Sequence, residues 1–208
     1  MQARLGLIVA SLSLAACDPG EEAETDAGDT EAAAEDSAAT GADDDGGDDG
    51  DDGVPANTYC DPVSTWDSNL VEFEEDVLVL VNEARAAGAT CGSQSFGAAS
   101  PLAMNSALRC AARVHSKDMG DRAYFDHNNP DGEDPFVRME RAGYSFSTAG
   151  ENIAAGQTSP QMVMQGWMES PGHCSNIMNP AFTEFGVGAY DASGAPFPIY
   201  WTQTFGAP

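Results

Sequence analysis

Apolar residues recur at helical spacing at Phe73, Val77, Val81 and Ala84, one turn apart on a single face. Glu72, Glu74, Glu75 and Asp76 crowd the start of this stretch, where carboxylates suit a helix N-terminus, and Gly88 ends it. A second helix is expected from Asn105 to Met119, with Leu108, Ala111, His115 and Met119 on one face and Gly120 as its cap. Asp134 to Ala142 reads as a short helix closed by Gly143. Ile153 to Gln157 reads as a strand or a bend. Ser159 is placed to cap a helix reaching Trp167. Phe185 to Tyr190 and Ile199 to Phe205 have strand composition, and Asp191-Ala192-Ser193-Gly194 makes a hairpin-type link between them. Helices first and strands late indicate an α+β fold, with helices covering a sheet.

The first 17 residues follow another pattern. Arg4 precedes a mostly apolar run, Leu5 to Leu14, too short to span a bilayer. Ala15, Ala16 and Cys17 follow. Leu14-Ala15-Ala16-Cys17 resembles a bacterial lipobox, which implies cleavage before Cys17 and a diacylglycerol on its sulfur. The alternative is an ordinary signal peptide cut after the same small residues.

Charge separates the remainder into two parts. The 208 residues carry 34 acids and 8 bases, a formal charge of −26. Such a balance argues against nucleic-acid binding, which needs a basic stripe. Of those acids, 16 lie in residues 18–53, with no base and no aromatic. This stretch has too little apolar surface to offset ordering entropy, so it reads as a self-repelling disordered tether. Fully extended it would reach ~120 Å. Its Asp-Gly run is a candidate for calcium, but lacks the EF-hand spacing. Residues 54–208 hold 18 acids against 7 bases and every Trp, Tyr, Phe and His of the chain. That content suffices for a core.

Within this domain are Cys60, Cys91, Cys110 and Cys174. An even count in an exported chain reads as two disulfides, and zinc ligation is disfavoured because no Cys-x-x-Cys occurs. Three pairings exist. The preferred one joins Cys91 to Cys110 and Cys60 to Cys174.

The histidines are the sharper clue. His115 lies on an apolar helical face. His127 follows Tyr124-Phe125, and His173 sits in Ser170-Pro171-Gly172-His173, read as a turn. Glu151 stands between Gly150 and an apolar run, where burial would demand a partner, and a histidine is the obvious one.

Ordered strings of residues carry a family resemblance. They are His115-Ser116-Lys117-Asp118-Met119, Tyr124-Phe125-Asp126-His127, Gly143-Tyr144, Gly150-Glu151-Asn152-Ile153-Ala154, Trp167-Met168-Glu169-Ser170-Pro171-Gly172-His173, Asn176-Ile177-Met178, Gly186-Val187-Gly188 and Tyr200-Trp201-Thr202-Gln203. In this order they resemble the CAP superfamily (cysteine-rich secretory proteins, antigen 5, pathogenesis-related 1) in its bacterial, SCP-like branch. The resemblance implies a three-layer α-β-α sandwich. It divides the chain into a signal peptide (1–17), a tether (18–53), an N-terminal extension (54–72) and the CAP domain (73–208).

The resemblance also implies a cavity of two His and two Glu, which in some members holds zinc or another divalent metal. His127, Glu151 and His173 match three positions. The fourth, a glutamate three residues after the tryptophan, falls on Ser170. Glu169 is adjacent, but one helical position turns a side chain by about 100°. His115 has no counterpart in the four-residue set, though its buried face could place it near the cavity. Three ligands and an open position would suffice for a zinc-bound water. No His-Glu-x-x-His supports a standard metalloprotease, and no nucleophile elbow surrounds Ser170.

The expectation is a monomeric envelope lipoprotein, held to the membrane through Cys17 alone. Its cavity would bind a divalent metal, a lipid or a peptide. A metal-dependent hydrolase and a structural module, in which the His/Glu cluster only stiffens the fold, are the alternatives.

Overall fold

A computed structural model describes residues 53–208. The expected signal 1–17, the expected lipidation residue Cys17 and the acidic stretch up to residue 52 lie outside the described residues. A 3₁₀ turn, Asp61–Val63, leads into helix α1, Ser68–Ala87. A small antiparallel ribbon follows, β1 (Ala89–Cys91) with β2 (Gln94–Phe96). Next come β3 (Ala103–Met104), α2 (Ser106–Arg122), α3 (Pro135–Arg141) and β4 (Thr148–Ala155). The chain ends with α4 (Pro160–Glu169), α5 (Pro171–Met178), β5 (Glu184–Asp191) and β6 (Ile199–Ala207). The main sheet runs β3-β5-β6-β4. β3 and β5 are parallel, and the other pairs are antiparallel.

The two faces of the sheet are built differently. On one, Phe185, Val187, Ala189, Trp201 and Phe205 pack with Val77 and Val81 of α1, Trp167 of α4 and Ile177 of α5. These strand residues are odd-numbered, as period-2 alternation requires. The even positions meet α2. A Cβ on Gly186 would stand 2.2 Å from the carbonyl carbon of Leu108, and one on Gly188 would stand 2.4 Å from the Arg113 nitrogen. Glycine is therefore required for the helix backbone to lie directly on the strand. Ser116 Oγ donates to the Gly188 carbonyl (2.9 Å), and Thr204 Oγ1 to that of Leu108 (3.0 Å). Leu108 and Ala111 of α2, Met139 of α3, Tyr144 and the buried Cys60 and Val63 complete this outer layer. The expected α-β-α sandwich is present.

Several details differ from the sequence expectation. α1 begins at Ser68, with Asp67 as its cap, so the expected domain start at 73 falls inside this helix. Glu74 consequently lies well inside α1, fully buried rather than in the first turn. Gly120 does not end α2. The helix runs to Arg122 and is closed by Ala123 at φ 54°. Gly120 instead admits β5 and its following loop, since a Cβ there would come within 2.7 Å of Tyr190 and Ala192. Of the strand or bend expected at 153–157, the strand is present, as the end of a longer β4 that starts at Thr148. The disulfides join Cys60 to Cys110 and Cys91 to Cys174, not the preferred pairing. Cys60 sits under α2, whereas the ribbon carrying Cys91 lies beside α5, and spacing alone carries no such information.

Candidate functional site

A loop and a helix meet at one carboxylate, with α5 alongside. β4 presents Glu151, whose side chain is only 3% exposed. The loop after α2 supplies His127, whose Nδ1 lies 2.8 Å from Glu151 Oε1. α3 supplies Arg138, whose Nη2 donates to Glu151 Oε2 at 2.7 Å. α5 supplies His173. The short α3 is set by Asp134, which accepts from Val137 N, and by Pro135, whose fixed φ suits a first helical position. Arg138 also donates to the Glu133 carbonyl (2.9 Å), so its guanidinium is held from both ends.

His173 is not in a turn. It is the third residue of α5, because Pro171 starts a helix after Ser170 rather than bending the chain. Amides secure that helix to β4. Asn152 Nδ2 donates to the His173 carbonyl (3.1 Å) and to Gln203 Oε1 (3.0 Å). Asn176 Nδ2 donates to the Glu151 carbonyl (3.2 Å) and to Asn152 Oδ1 (2.9 Å). Trp167 Nε1 donates to the Ile153 carbonyl (3.3 Å). Side chains of α4 and α5 thereby occupy outward carbonyls of β4, an edge strand that would otherwise invite pairing.

The two imidazoles are shifted in opposite directions as bases. The hydrogen bond to Glu151 holds the His127 pKa above the usual histidine value, against partial burial. Burial pushes His173 below that value, and the nearby charge of His127 adds to the shift. His127 is exposed, and His173 is partly buried.

His115 is fully buried on α2. Its Nε2 meets the Asp126 carbonyl at 3.0 Å, and its Nδ1 lies 3.4 Å from the Tyr124 hydroxyl. Burial depresses its pKa to about 4, although Glu151 is close enough to oppose the shift. It is a satisfied core histidine bordering the cluster. Glu169 is exposed and accepts from Gln165 within α4 (2.8 Å), so it does not replace the missing second glutamate. Ser170 links α4 to α5, and its hydroxyl makes no capping bond.

Arg138 escaped the sequence analysis. The requirement that a buried Glu have a partner was sound, but it was satisfied by an arginine as well as by a histidine. The available signal was an arginine set among Phe136, Val137 and Met139 in a domain with only seven bases.

A three-ligand metal centre fits this arrangement poorly. Both Glu151 oxygens are engaged, one by a guanidinium whose positive charge opposes a divalent cation. Among the described residues, no group of three or more His, Cys, Asp or Glu is disposed to hold a metal. Two clefts, of about 570 and 470 Å³, open elsewhere, and neither is lined by the cluster. No helix among the described residues is long and apolar enough to cross a membrane.

Comparison with known proteins accords with the fold. The uncharacterized protein YkwD of Bacillus subtilis is 43% identical over 138 residues, which cover 66% of this chain and 48% of YkwD. The crystal structure of an extracellular protein containing a SCP domain from Bacillus anthracis aligns with a TM-score of 0.57 at 32% identity, over 66% of this chain and 41% of that one. An outer surface protein of Borrelia burgdorferi shares the fold, with a TM-score of 0.52 at 19% identity, over 64% of this chain and 92% of that one. The chain thus spans less than half the length of each of these Bacillus proteins. The pattern of the cysteine-rich secretory protein family matches residues 78–205, and the chain belongs to this CAP family.

Proposed function

We propose that the chain is an exported binding module, tethered to the cell envelope through a lipidated Cys17, whose ligand meets the imidazoles of His127 and His173. The observation that carries this reading is the full engagement of Glu151. With one oxygen on Arg138 and the other on His127, the carboxylate acts as an anchor. The exposed His127 ring and the partly buried His173 ring remain as the ligand-facing groups. A polar group of a peptide or a lipid suits them better than a tightly held metal, whose third ligand, Glu151, is occupied by Arg138. Two disulfides agree with an oxidising compartment.

Zinc is a useful probe of whether the two rings share one space. Calorimetric titration of the full chain, at two temperatures and with His127→Ala alongside, should give weak binding that the substitution removes. Absence of heat in the wild type would sink the shared-space reading. Tight binding that needs Glu151 would reinstate a metal centre. Replacing Cys17 with Ser should release the chain from envelope membranes, and unchanged retention would overturn the anchor.

One observation favours a second reading. An imidazole oriented through Nδ1 by a carboxylate has its Nε2 free for proton transfer. Envelope hydrolase activity abolished by His127→Ala would support that reading.

A further inference from the structure

The loop bearing His127 leaves α2 through Tyr124, whose backbone N–H donates to the Met119 carbonyl at 3.1 Å. Beyond Tyr124 the segment Phe125–Asn128 is held by side chains, Phe125 against the Phe197 ring at 6.5 Å and His127 on Glu151, and by few backbone bonds. Phe125 is 49% exposed. Asn128 N donates to Asp126 Oδ1 at 2.9 Å, a contact internal to the loop. Among the described residues, the Asp126 carbonyl makes the only hydrogen bond from the backbone of this segment to the helical body, and its partner is His115.

We infer that His115 is a positioning residue: its Nε2–H, donated to the Asp126 carbonyl, sets the backbone beside His127 at the height where His127 Nδ1 meets Glu151. This rests on His127 being the ligand-facing group proposed above. His115 is fully buried and cannot itself touch a ligand. Its chemistry leaves one arrangement. A backbone carbonyl only accepts, so the ring proton shared with it must sit on Nε2. Nδ1 then carries a lone pair facing the Tyr124 oxygen. The Tyr124 hydroxyl gives its own proton to Asp118 Oδ2 at 2.6 Å. Burial keeps the ring neutral, with its pKa near 4, which preserves this tautomer over the neutral range. The Tyr124 oxygen packs beside Nδ1 without a proton to share, and the hydrogen-bonded chain runs from His115 through the Asp126–His127 backbone to Glu151 and Arg138. Supporting groups of this kind fix the tautomer and orientation of a functional imidazole.

The test begins with the wild-type full chain. Imidazole ¹⁵N shifts should show His115 as the Nε2–H tautomer, with that proton protected from exchange. An Nδ1–H tautomer would overturn the inference without any variant having to fold. His115→Gln places an amide donor near the position of Nε2, whereas His115→Leu removes the donor. The low-field Nδ1–H resonance of His127, shared with Glu151, should persist in the Gln variant and be lost in the Leu variant. A folded Leu variant that keeps this resonance would reduce His115 to core packing. None of these signals depends on ligand. Failure of zinc to bind would therefore count against the proposed function and leave the positioning role standing.

Discussion

Glu74 and Glu151 are both buried carboxylates held by a helical arginine from another element, yet they serve different ends. Glu74, on α1, faces the edge of β5 beyond the short β3. It receives Arg113 Nη2 at 2.7 Å and the Ala189 backbone N–H at 3.2 Å, and Arg109 Nε lies 3.6 Å away. Glu74 and Arg113 are fully buried. Burial pushes the carboxyl of Glu74 upward, and the Arg113 hydrogen bond pulls against it. This cluster is closed: it clips α1 to α2 and caps a sheet edge. Glu151 has the same pairing on one oxygen, but its other partner is an imidazole 49% exposed. The distinction between lock and site is therefore made by the second partner. A carboxylate whose ring partner reaches solvent can act on a ligand, and one surrounded by guanidinium and backbone cannot.

The largest expected effect lies at the closed cluster. Glu74→Ala would take the carboxylate away from a charged Arg113 in the core, and breaking a buried ion pair in this way typically costs about 3–5 kcal/mol. Thermal or denaturant unfolding should show a loss of that order, while the His127 Nδ1–H resonance of the folded fraction stays in place. A loss under ~1 kcal/mol would mean that other groups compensate Arg113 and that the cluster is not a clip.

Much of this architecture was legible in the chain. Helical periodicity located α1 and α2, and strand composition located β5 and β6, because each element has one face that must be apolar. His127 and Glu151 were legible because a glutamate in an apolar run demands a partner. Glu74 was not. It lies in a run of four acids, Glu72, Glu74, Glu75 and Asp76, three of them solvated, and although it shares a face with Val77 and Val81, its partner Arg113 lies 39 residues away. Arg138 and Gly120 were obscured for a related reason: their partners come from β4, β5 and the following loop, distant in sequence. The disulfides are the extreme case, at separations of 50 and 83 residues.

The next effect uses pH to separate the support from the exposed ring. His115 has a pKa of about 4 in the folded chain against an ordinary 6.5. Between those values the unfolded chain binds the proton and the folded one does not. The contribution of His115 is therefore fully present above pH 6.5 and is lost as pH falls through about 4, on the order of 3 kcal/mol in all. His127 has the opposite sign. Its pKa is raised, so its contribution is present below the ordinary histidine value and fades as pH rises through the raised one. Half-exposure keeps that contribution small. Unfolding measured across this range should show acid destabilisation that His115→Gln diminishes. An identical pH slope in wild type and variant would show that His115 does not remain neutral in the fold.

The smallest stability effect is expected at the open cluster, where it is the most informative about function. Glu151→Gln keeps the shape and one acceptor, so Arg138 can retain a bond there while still donating to the Glu133 carbonyl. His127 can turn toward water, an escape closed to the fully buried Arg113. The stability loss should therefore be about 2 kcal/mol, below that of Glu74→Ala. The response of His127 should nevertheless change completely: without the carboxylate, its pKa returns toward the ordinary histidine value and its low-field Nδ1–H signal disappears. NMR titration of the His127 ring reads both. If Glu151→Gln proved as destabilising as Glu74→Ala while leaving the His127 titration unmoved, the two clusters would be alike, and Glu151 would be a second structural clip.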